Sequence, residues 1–409
     1  MDGKFRGFRR SDGRIGIRNV VVVAYLVECA HHVAREIQLP FRERDVHLIG
    51  FPGCYPNDYS QRMMRALCTH PNVGAVLLLS LGCEGFNRFG LEQHIKKSGR
   101  PVETIVIQEN EGTPQSIAKG RRWVEGVIAQ MPQQPDVSAS LSQLVVGTIC
   151  GGSDGTSGIT ANPAVGNAFD KLVQLGASCI FEETGELIGC ENHMQGRAVD
   201  PDLGSQIQLS MAKAARYYST LGYGSFAPGN ADGGLSSVEE KSLGAYAKSG
   251  HGKIHGLLKP CDQPPQGGLY LLDVVSDGEV RFGFPNINDN AEIAELIACG
   301  SHLILFTTGR GSVVGSAISP VIKVCANPET FQQLRDDMDI DAGRILYGQV
   351  ELAEIGDEIV QKILETAQGM HTKSESLLHQ EFIMTDKSLS PIGSASLPIL
   401  QSHLNLSVT

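Results

Sequence analysis

The chain has 409 residues, of which 41% are hydrophobic and 19% charged, and its formal net charge is −11. This length exceeds one average hydrophobic core and predicts two or three domains. The negative balance disfavours a nucleic-acid partner, and no apolar run reaches the roughly 18 residues that a membrane span requires. The first residues lack the apolar core of a secretion signal, which predicts a cytoplasmic protein.

Strand-sized apolar runs alternate with segments of helical spacing along the chain. In the first third these runs cover residues 19–26, 46–51, 73–82 and 103–108. A second series follows at residues 143–150, 178–183, 269–275 and 303–308. Apolar strands that alternate with helices indicate a parallel sheet covered on both faces. We therefore predict an α/β fold of two doubly wound, mostly parallel, Rossmann-like domains.

A polar segment separates the two series. Residues 130–140, QMPQQPDVSAS, combine Pro, Gln and Ser without periodicity, as a linker does. This places an N-terminal α/β domain at residues 1–135 and a C-terminal α/β domain at residues 141–409. We expect the functional site at their interface.

Four of the ten cysteines directly follow predicted strands: Cys29, Cys54, Cys83 and Cys150. Ligands bind outside the carboxyl ends of parallel strands, and gathered thiolates suit iron, zinc or copper(I). We therefore predict a metal site that draws its ligands from these four residues. An iron with an open position could act as a Lewis acid in the elimination of water from a hydroxy acid. Buried structural cysteines, or a nucleophile at Cys83 or Cys150, are the alternatives.

A run of carboxylates follows the predicted strand at residues 178–183. The segment FEETGELIGCENH contains Glu182, Glu183, Glu186 and Glu191. Such a run is either a solvated face or a set of groups that hold a metal, orient a ligand or move a proton.

Three further segments carry charged or turn-forming residues. Residues 223–250 contain Asn230 in a turn and Lys241, whose basicity a partly buried position would lower enough for it to act as a base. In FTTGRGSVVGS, at residues 306–316, backbone amides and Arg310 predict a two-point clamp for a carboxylate. The N-terminal GFRRSDGRIGIRN enters the sheet at the amino ends of the strands, so we expect a structural turn with Arg–Asp pairing.

Several of these segments, in this order, carry a resemblance: GFRRSDGRIGIRN, HPNVGAVLLLSLGCE, CGGSDGTSGITANPAVGNAFD, EETGELIGCE, APGNADGGLSSVEEKSLG, FTTGRGS and DIDAG. The chain resembles the altronate and galactarate dehydratase family from about residue 6 to about residue 370. The resemblance implies an iron-dependent hydro-lyase, cytoplasmic, that dehydrates an aldonate or aldarate to a 2-keto-3-deoxy acid. The iron would be Fe²⁺ or part of an iron–sulfur cluster.

Within this hydro-lyase hypothesis we expect roles for individual residues. The residues expected to be catalytic are Glu186, Lys241 and Asp154. Those expected to bind the substrate are Glu84, Asn162, Ser153, Arg310 and Asn230. The strand-end cysteines, Cys29, Cys54, Cys83 and Cys150, remain the expected metal ligands.

Many family members carry a small N-terminal antifreeze-like domain, whereas this sequence begins at the large part. We therefore expect a separate small subunit as partner, and an oligomer. A sulfolactate sulfo-lyase large subunit is one alternative, although Cys83-Glu84 and Ile159-Thr160 fit the sugar-acid branch better. A non-catalytic sugar-acid-binding subunit of a two-component complex is another.

Overall fold

The structure is a computed structural model that describes residues 4–182, 184–222, 228–277, 288–385 and 387. Its fourteen strands are β1 (Lys4–Arg9), β2 (Ile15–Gly16), β3 (Val20–Tyr25), β4 (Val46–Gly50), β5 (Val73–Ser80), β6 (Val102–Val106), β7 (Val137–Ser140), β8 (Val145–Cys150), β9 (Ser178–Glu182), β10 (Ile254–Leu258), β11 (Gly268–Leu272), β12 (Leu303–Thr308), β13 (Val321–Cys325) and β14 (Ile340–Asp341). Its twelve α-helices are α1 (His31–Gln38), α2 (Asp58–Cys68), α3 (Arg88–Lys97), α4 (Thr113–Gln130), α5 (Ala161–Gln174), α6 (Glu191–Arg197), α7 (Pro201–Leu221), α8 (Val238–Lys248), α9 (Asp289–Ala298), α10 (Pro328–Gln333), α11 (Leu352–Ala367) and α12 (Lys373–Ser376).

The first parallel sheet has four strands in the order β4-β3-β5-β6. The β3 sequence VVVVAY is buried along nearly its whole length, as a strand covered on both faces must be. Helices α1 and α4 pack on one face, where Val21, Val23 and Leu77 meet Ile37. Helices α2 and α3 cover the other face.

The second parallel sheet has seven strands in the order β10-β11-β9-β8-β12-β13-β14. Helices α5 and α11 pack against one face and α9 against the other. The two sheets with their covering helices confirm the predicted Rossmann-like α/β fold class. All eight strands predicted from apolar runs are present.

A small antiparallel sheet lies between the two halves and was not predicted. It has the order β2-β1-β7, and Phe5 of β1 pairs with Ala139 of β7. The segment 130–140, predicted to be a linker, therefore ends in a strand that pairs with the start of the chain. The division into residues 1–135 and 141–409 stays a prediction.

The two parallel sheets are joined by a continuous core and by buried polar contacts. One hydrophobic cluster includes Val22 and Leu78 of the first sheet together with Ile149 and Ile304 of the second. At one edge of this core, Glu295 accepts a hydrogen bond from the Tyr59 hydroxyl at 2.6 Å. The same carboxylate forms an ion pair with Lys387 at 2.8 Å, and both charged side chains are almost fully buried. The C-terminal segment thus completes the interface between the halves.

Within the described ranges, no helix is long and apolar enough to cross a membrane.

Candidate functional site

A glycine-rich loop follows β8 and leads into α5. The Asp154 side chain organises this loop from within, since it is only 3% exposed. Its Oδ1 accepts hydrogen bonds from the backbone amides of Thr156 at 2.9 Å and Ser157 at 3.1 Å. Its Oδ2 accepts a hydrogen bond from Asn327 Nδ2 at 3.0 Å. These bonds hold the loop in one conformation beside the end of β8.

Helix α8 brings Lys241 to this loop. Ser237 caps the helix by accepting a hydrogen bond from the Glu240 amide at 3.2 Å. One turn on, the Lys241 ammonium lies 2.9 Å from Cys150 Sγ and 2.8 Å from Ser153 Oγ. It also forms a 2.8 Å ion pair with Glu186 Oε2. Four side chains from three separate segments of the chain therefore meet at one buried point, here called the Cys150 group: Cys150, Ser153, Glu186 and Lys241.

The charges of this group determine its protonation. Burial alone would lower the pKa of Lys241, but its electrostatic interactions and hydrogen bonds with Cys150 and Glu186 outweigh burial and raise that pKa above its ordinary value. Lys241 is therefore an ammonium ion, and the expectation that its basicity would be lowered is wrong. Burial raises the pKa of Glu186, against the opposing effect of Lys241.

A second lysine lies about two turns further along the same face of α8. Lys248 follows Lys241 by seven residues, is fully buried and also interacts with Cys150. Burial lowers the pKa of Lys248, and its interactions with Cys150 and Glu182 only partly restore it. Cys150 thus lies between one strongly protonated amine and one amine of reduced basicity.

Buried carboxyl groups surround these lysines. Burial raises the pKa of Asp289 to about 6 and that of Glu292 to about 8. The pKa of Glu182 is also raised, by burial and then by Glu292, and among the described residues its Oε2 has no hydrogen-bond partner. Raised carboxyl pKa values concentrated around a cleft are typical of proton-transfer sites.

A pocket of about 150 Å³ opens beside the group. Ser153, Asp154, Asn162 and Lys241 supply its polar wall, while Leu235 and Leu243 supply apolar surface. A concave space with a few polar groups and an apolar lining is the usual form of a small-molecule site.

The structure brings together several of the residues predicted for this site. Cys150, Ser153, Glu186 and Lys241 are in direct contact, and Asn162 lines the same pocket. The side-chain Oδ1 of Asn162 accepts a hydrogen bond from Thr307 Oγ1 at 2.7 Å, which fixes the orientation of the side chain. The site was expected at the interface of two domains, but the described contacts of the Cys150 group come from the second parallel sheet and its helices.

In residues 306–316, predicted to clamp a substrate carboxylate, two backbone amides instead bind another loop of the protein. The backbone amides of Gly309 and Arg310 both donate to the Gly152 carbonyl, at 3.1 and 2.8 Å. They hold the glycine-rich loop, so they are not available to a substrate carboxylate. Arg310 itself is exposed, and its aliphatic stem lies near Gly233. Asn230 is buried in the turn whose Gly233 carbonyl accepts from the Gly155 amide. Substrate binding by Arg310 and Asn230 stays a prediction.

Glu84 lies in the first half of the chain. Its carboxylate accepts hydrogen bonds from Ser80 Oγ and from the Gly82 amide, the latter at 2.8 Å, and so closes its own loop. In the described chain it makes no contact with the Cys150 group.

The four strand-end cysteines do not form one cluster. Cys29, Cys54 and Cys83 are exposed at the carboxyl edge of the first sheet, whereas Cys150 is buried beside two lysines. The loops of Cys54 and Cys83 do meet, since the Gly85 amide donates to the Cys54 carbonyl at 2.9 Å. Within the described ranges, no three His, Cys, Asp or Glu side chains are placed to hold a metal ion. The metal-ligand assignment stays a prediction.

Sequence reasoning did not assign three residues that shape this site. Lys248, Thr307 and Asn327 each contact a predicted site residue. A signal existed for Lys248, because two lysines seven residues apart share one helix face. Glu183 lies outside the described residues, and Glu191 accepts from the Gly189 amide at 2.9 Å, as a local turn.

Comparisons with known proteins cover nearly the whole chain. Residues 141–390 match the family described as D-galactarate/Altronate dehydratase, C-terminal, and residues 7–132 match D-galactarate dehydratase/Altronate hydrolase, second domain. The (2R)-sulfolactate sulfo-lyase subunit beta of Chromohalobacter salexigens is 32% identical over 93% of this chain and 97% of its own length. The altronate dehydratase of Escherichia coli is 27% identical over 91% of this chain and 76% of its own length. The galactarate dehydratase (L-threo-forming) of Escherichia coli is 30% identical over 89% of this chain and 73% of its own length. The chain therefore belongs to the D-galactarate/altronate dehydratase family of lyases.

Proposed function

We propose that this lyase dehydrates a sugar acid, an aldonate or aldarate such as altronate or galactarate, to a 2-keto-3-deoxy acid. One observation carries the proposal. The Cys150 group places a protonated lysine 2.8 Å from a buried carboxylate with a raised pKa, beside a small pocket. Abstraction of a proton next to a carboxylate needs such a pairing of a base with a cation that stabilises the resulting enolate.

The chemistry divides between these side chains. Glu186 takes the proton from the carbon beside the substrate carboxylate, since its raised pKa makes it a stronger base than an exposed glutamate. The Lys241 ammonium stabilises the negative charge that develops on the carboxylate oxygens. The bond between the next carbon and its hydroxyl then breaks, and the hydroxyl leaves as water with the proton that Glu186 has taken. The resulting enol takes a proton at that carbon and becomes the 2-keto acid.

Ser153 and Asn162 position the substrate in this scheme. Both side chains are almost fully buried at the wall of the pocket. Ser153 Oγ accepts a hydrogen bond from Lys241 and lies 3.3 Å from Cys150 Sγ, so these two contacts fix its position at the pocket wall. Asp154 acts through the loop that it holds.

Iron dependence is a separate part of the proposal. Thiolates such as those of Cys54 and Cys83 are the ligand type that iron takes, and the loops that carry them touch. As they lie, however, the described residues form no three-ligand group, so no step above is routed through iron. Bound iron would supply a Lewis acid for the departing hydroxyl. Metal analysis of anaerobically purified wild type and of Cys29→Ser, Cys54→Ser, Cys83→Ser and Cys150→Ser variants tests each expected ligand.

The activity is tested by formation of 2-keto-3-deoxy acid across a panel of aldonates and aldarates. The protein is purified anaerobically and assayed with ferrous iron, with and without a small subunit from the same source. Turnover of one acid would support the proposal and identify the substrate. No turnover of any acid with iron and the partner present would refute it.

A specific observation favours a second candidate, a sulfo-lyase. The chain spans 97% of a relative named as a sulfolactate sulfo-lyase subunit, against 73 to 76% of the dehydratases. Removal of the proton beside the carboxylate and formation of the enol are the same in both reactions. Only the group that leaves the next carbon differs, being sulfite instead of hydroxide. Sulfite release from sulfolactate, without dehydration of any sugar acid, would assign the chain to this candidate.

A partner subunit is part of both candidates. The relative that the chain spans nearly completely is a subunit beta, which supports a second component for this chain as well. We propose a cytoplasmic complex of this chain with a small subunit, assembled as an oligomer. Co-expression and determination of the mass of the purified complex test it, and a chain that is fully active alone would refute the need for the partner.

A further inference from the structure

A second concave site lies at the opposite edge of the sheets. It is a pocket of about 370 Å³, here called the amino-edge pocket, and its charged or polar lining residues include Arg14, Arg62, Arg65, Thr69 and His94. Thr69 and Gly300, which also line it, shortly precede β5 and β12. The pocket therefore opens at the amino ends of the strands, whereas Cys150 lies at the carboxyl end of β8.

Helix periodicity explains why the basic residues converge. Arg62, Arg65, Ala66 and Thr69 follow a spacing of three, four and seven residues, so they share one face of α2 and its end. Helix α3 contributes His94. The second half of the chain closes the pocket with Gln263, Ala298 and Gly300.

Carboxylates balance only part of the positive charge. Asp12 pairs with Arg14 at 2.7 Å and is shared with Arg100 at 3.1 Å. Asp262 pairs with Arg62 at 3.2 Å. Within the described ranges, no carboxylate lies within ion-pair distance of Arg65. Three guanidinium groups thus line the pocket and two of them pair with a carboxylate, in a protein whose net charge is −11.

The nearby histidine responds to this charge. The pKa of His94 is lowered, by desolvation first and then by the positive charges of Arg65 and Arg14. The electrostatic potentials of the Arg65 and Arg14 guanidinium groups therefore overlap at His94, in the wall of the pocket.

Only some of the side-chain hydrogen-bond donors of the pocket bind backbone carbonyls of the protein. One Arg14 nitrogen donates to the Thr69 carbonyl at the end of α2, at 2.5 Å. Gln263 donates to the Ala298 carbonyl at the end of α9, at 2.9 Å. Both bonds satisfy free carbonyls of helix ends. Arg65 makes no such side-chain bond within the described residues, so its guanidinium remains for a ligand.

We propose that the amino-edge pocket binds a small polyanion, with carboxylate or phosphate groups that the arginine forks can hold. A volume of about 370 Å³ is within the range of small-molecule sites. Guanidinium groups bind planar carboxylates and phosphates through paired hydrogen bonds. Because the walls come from both halves of the chain, a bound anion contacts both and stabilises their interface.

The binding experiment uses inorganic phosphate, succinate and citrate as separate probes, in low-salt buffer of constant ionic strength. Isothermal titration calorimetry gives the affinity, and the melting temperature gives the linked stabilisation. Arg65→Gln is the test variant. Arg35→Gln, which removes an exposed arginine on α1, is the matched control. Arg62→Gln provides a second test variant if Arg65→Gln folds poorly.

We expect saturable binding of at least one probe and an increase in melting temperature. The affinity should fall at least tenfold in Arg65→Gln and stay unchanged in Arg35→Gln. The imidazole titration of His94, assigned with a His94→Asn variant, should move to higher pH when the anion is bound. Phosphate alone, or a polycarboxylate alone, as the binding probe would name the ligand class.

Three results would overturn the proposal. The first is the absence of saturable binding by phosphate, succinate and citrate alike. The second is equal affinity in Arg65→Gln and wild type. The third is binding that is lost in Lys241→Met but kept in Arg65→Gln, because that pattern would place the anion at the Cys150 group.

Discussion

Replacement of Lys241 by methionine removes the cation of the Cys150 group and keeps the length of the side chain. The ammonium lies 2.8 Å from Glu186 Oε2 and 2.9 Å from Cys150 Sγ, and only 3% of the residue is exposed. At 2.8 Å, Coulomb's law with an effective dielectric constant of 20 gives about 6 kcal/mol of attraction for one charge pair. The desolvation of both charges offsets part of this value. Loss of one partner of a buried pair typically costs about 3–5 kcal/mol.

The same change removes the charge that stabilises the enolate. We expect kcat/KM for the identified substrate to fall roughly 100- to 1,000-fold, the range for loss of one such electrostatic contact. Product formation followed with wild type and Lys241→Met, at matched metal content, measures this. Lys171→Met is the control, since it removes a lysine of the Asp357 ion pair away from the site. A Lys241→Met enzyme within threefold of wild type would refute the assignment of Lys241 as the stabilising cation.

Three further predictions concern acid–base chemistry and packing. Glu186→Gln keeps the shape but removes the base, so we expect kcat to fall about 100-fold or more in the same product assay, and a full-rate variant would show that another group takes the proton. Burial raises the pKa of Glu292 to about 8, so its contribution to stability is complete below its unfolded pKa and is lost as pH rises toward 8. Urea unfolding should give a lower free energy of unfolding at pH 8 than at pH 5 in wild type, and a smaller difference between the two pH values in Glu292→Gln. The same difference in both proteins would contradict this role of Glu292. A Cβ atom at position 309 would overlap the Asp154 carboxylate, so Gly309→Ala should cost about 1–3 kcal/mol of stability, and an unchanged melting temperature would argue against this close approach.

Sequence patterns predicted the parallel strands because each is a local apolar run. The run VVVVAY indicates a buried strand even without knowledge of the neighbouring strands, and it forms β3. The small antiparallel sheet was not predicted because it pairs residues far apart in the chain, such as Lys4 and Ser140. Neither short strand has a hydrophobic pattern that identifies its partner strand.

The site was partly predictable for the same reason. Cys150 and Ser153 lie where a strand ends and a loop begins, which sequence can locate. The protonation of Lys241 was not predictable, because the sign of its pKa shift depends on Glu186 and Cys150 reaching it in space. The role of the amides of Gly309 and Arg310 was equally hidden, since their acceptor is 157 or more residues earlier in the chain, at Gly152.

The buried contact of Glu295 with Tyr59 and Lys387 sets an order of events during synthesis. The Tyr59–Glu295 bond spans 236 residues, and the side-chain Nδ2 of Asn57 donates to the Lys387 carbonyl across 330 residues. A ribosome releases N-terminal segments first, so the first sheet emerges long before its buried partners exist. Until Glu295 and Lys387 have been synthesised, the Tyr59 hydroxyl and the Asn57 side chain lack these hydrogen-bond partners. Closure of this interface is therefore a late step of folding, after the first sheet has been synthesised.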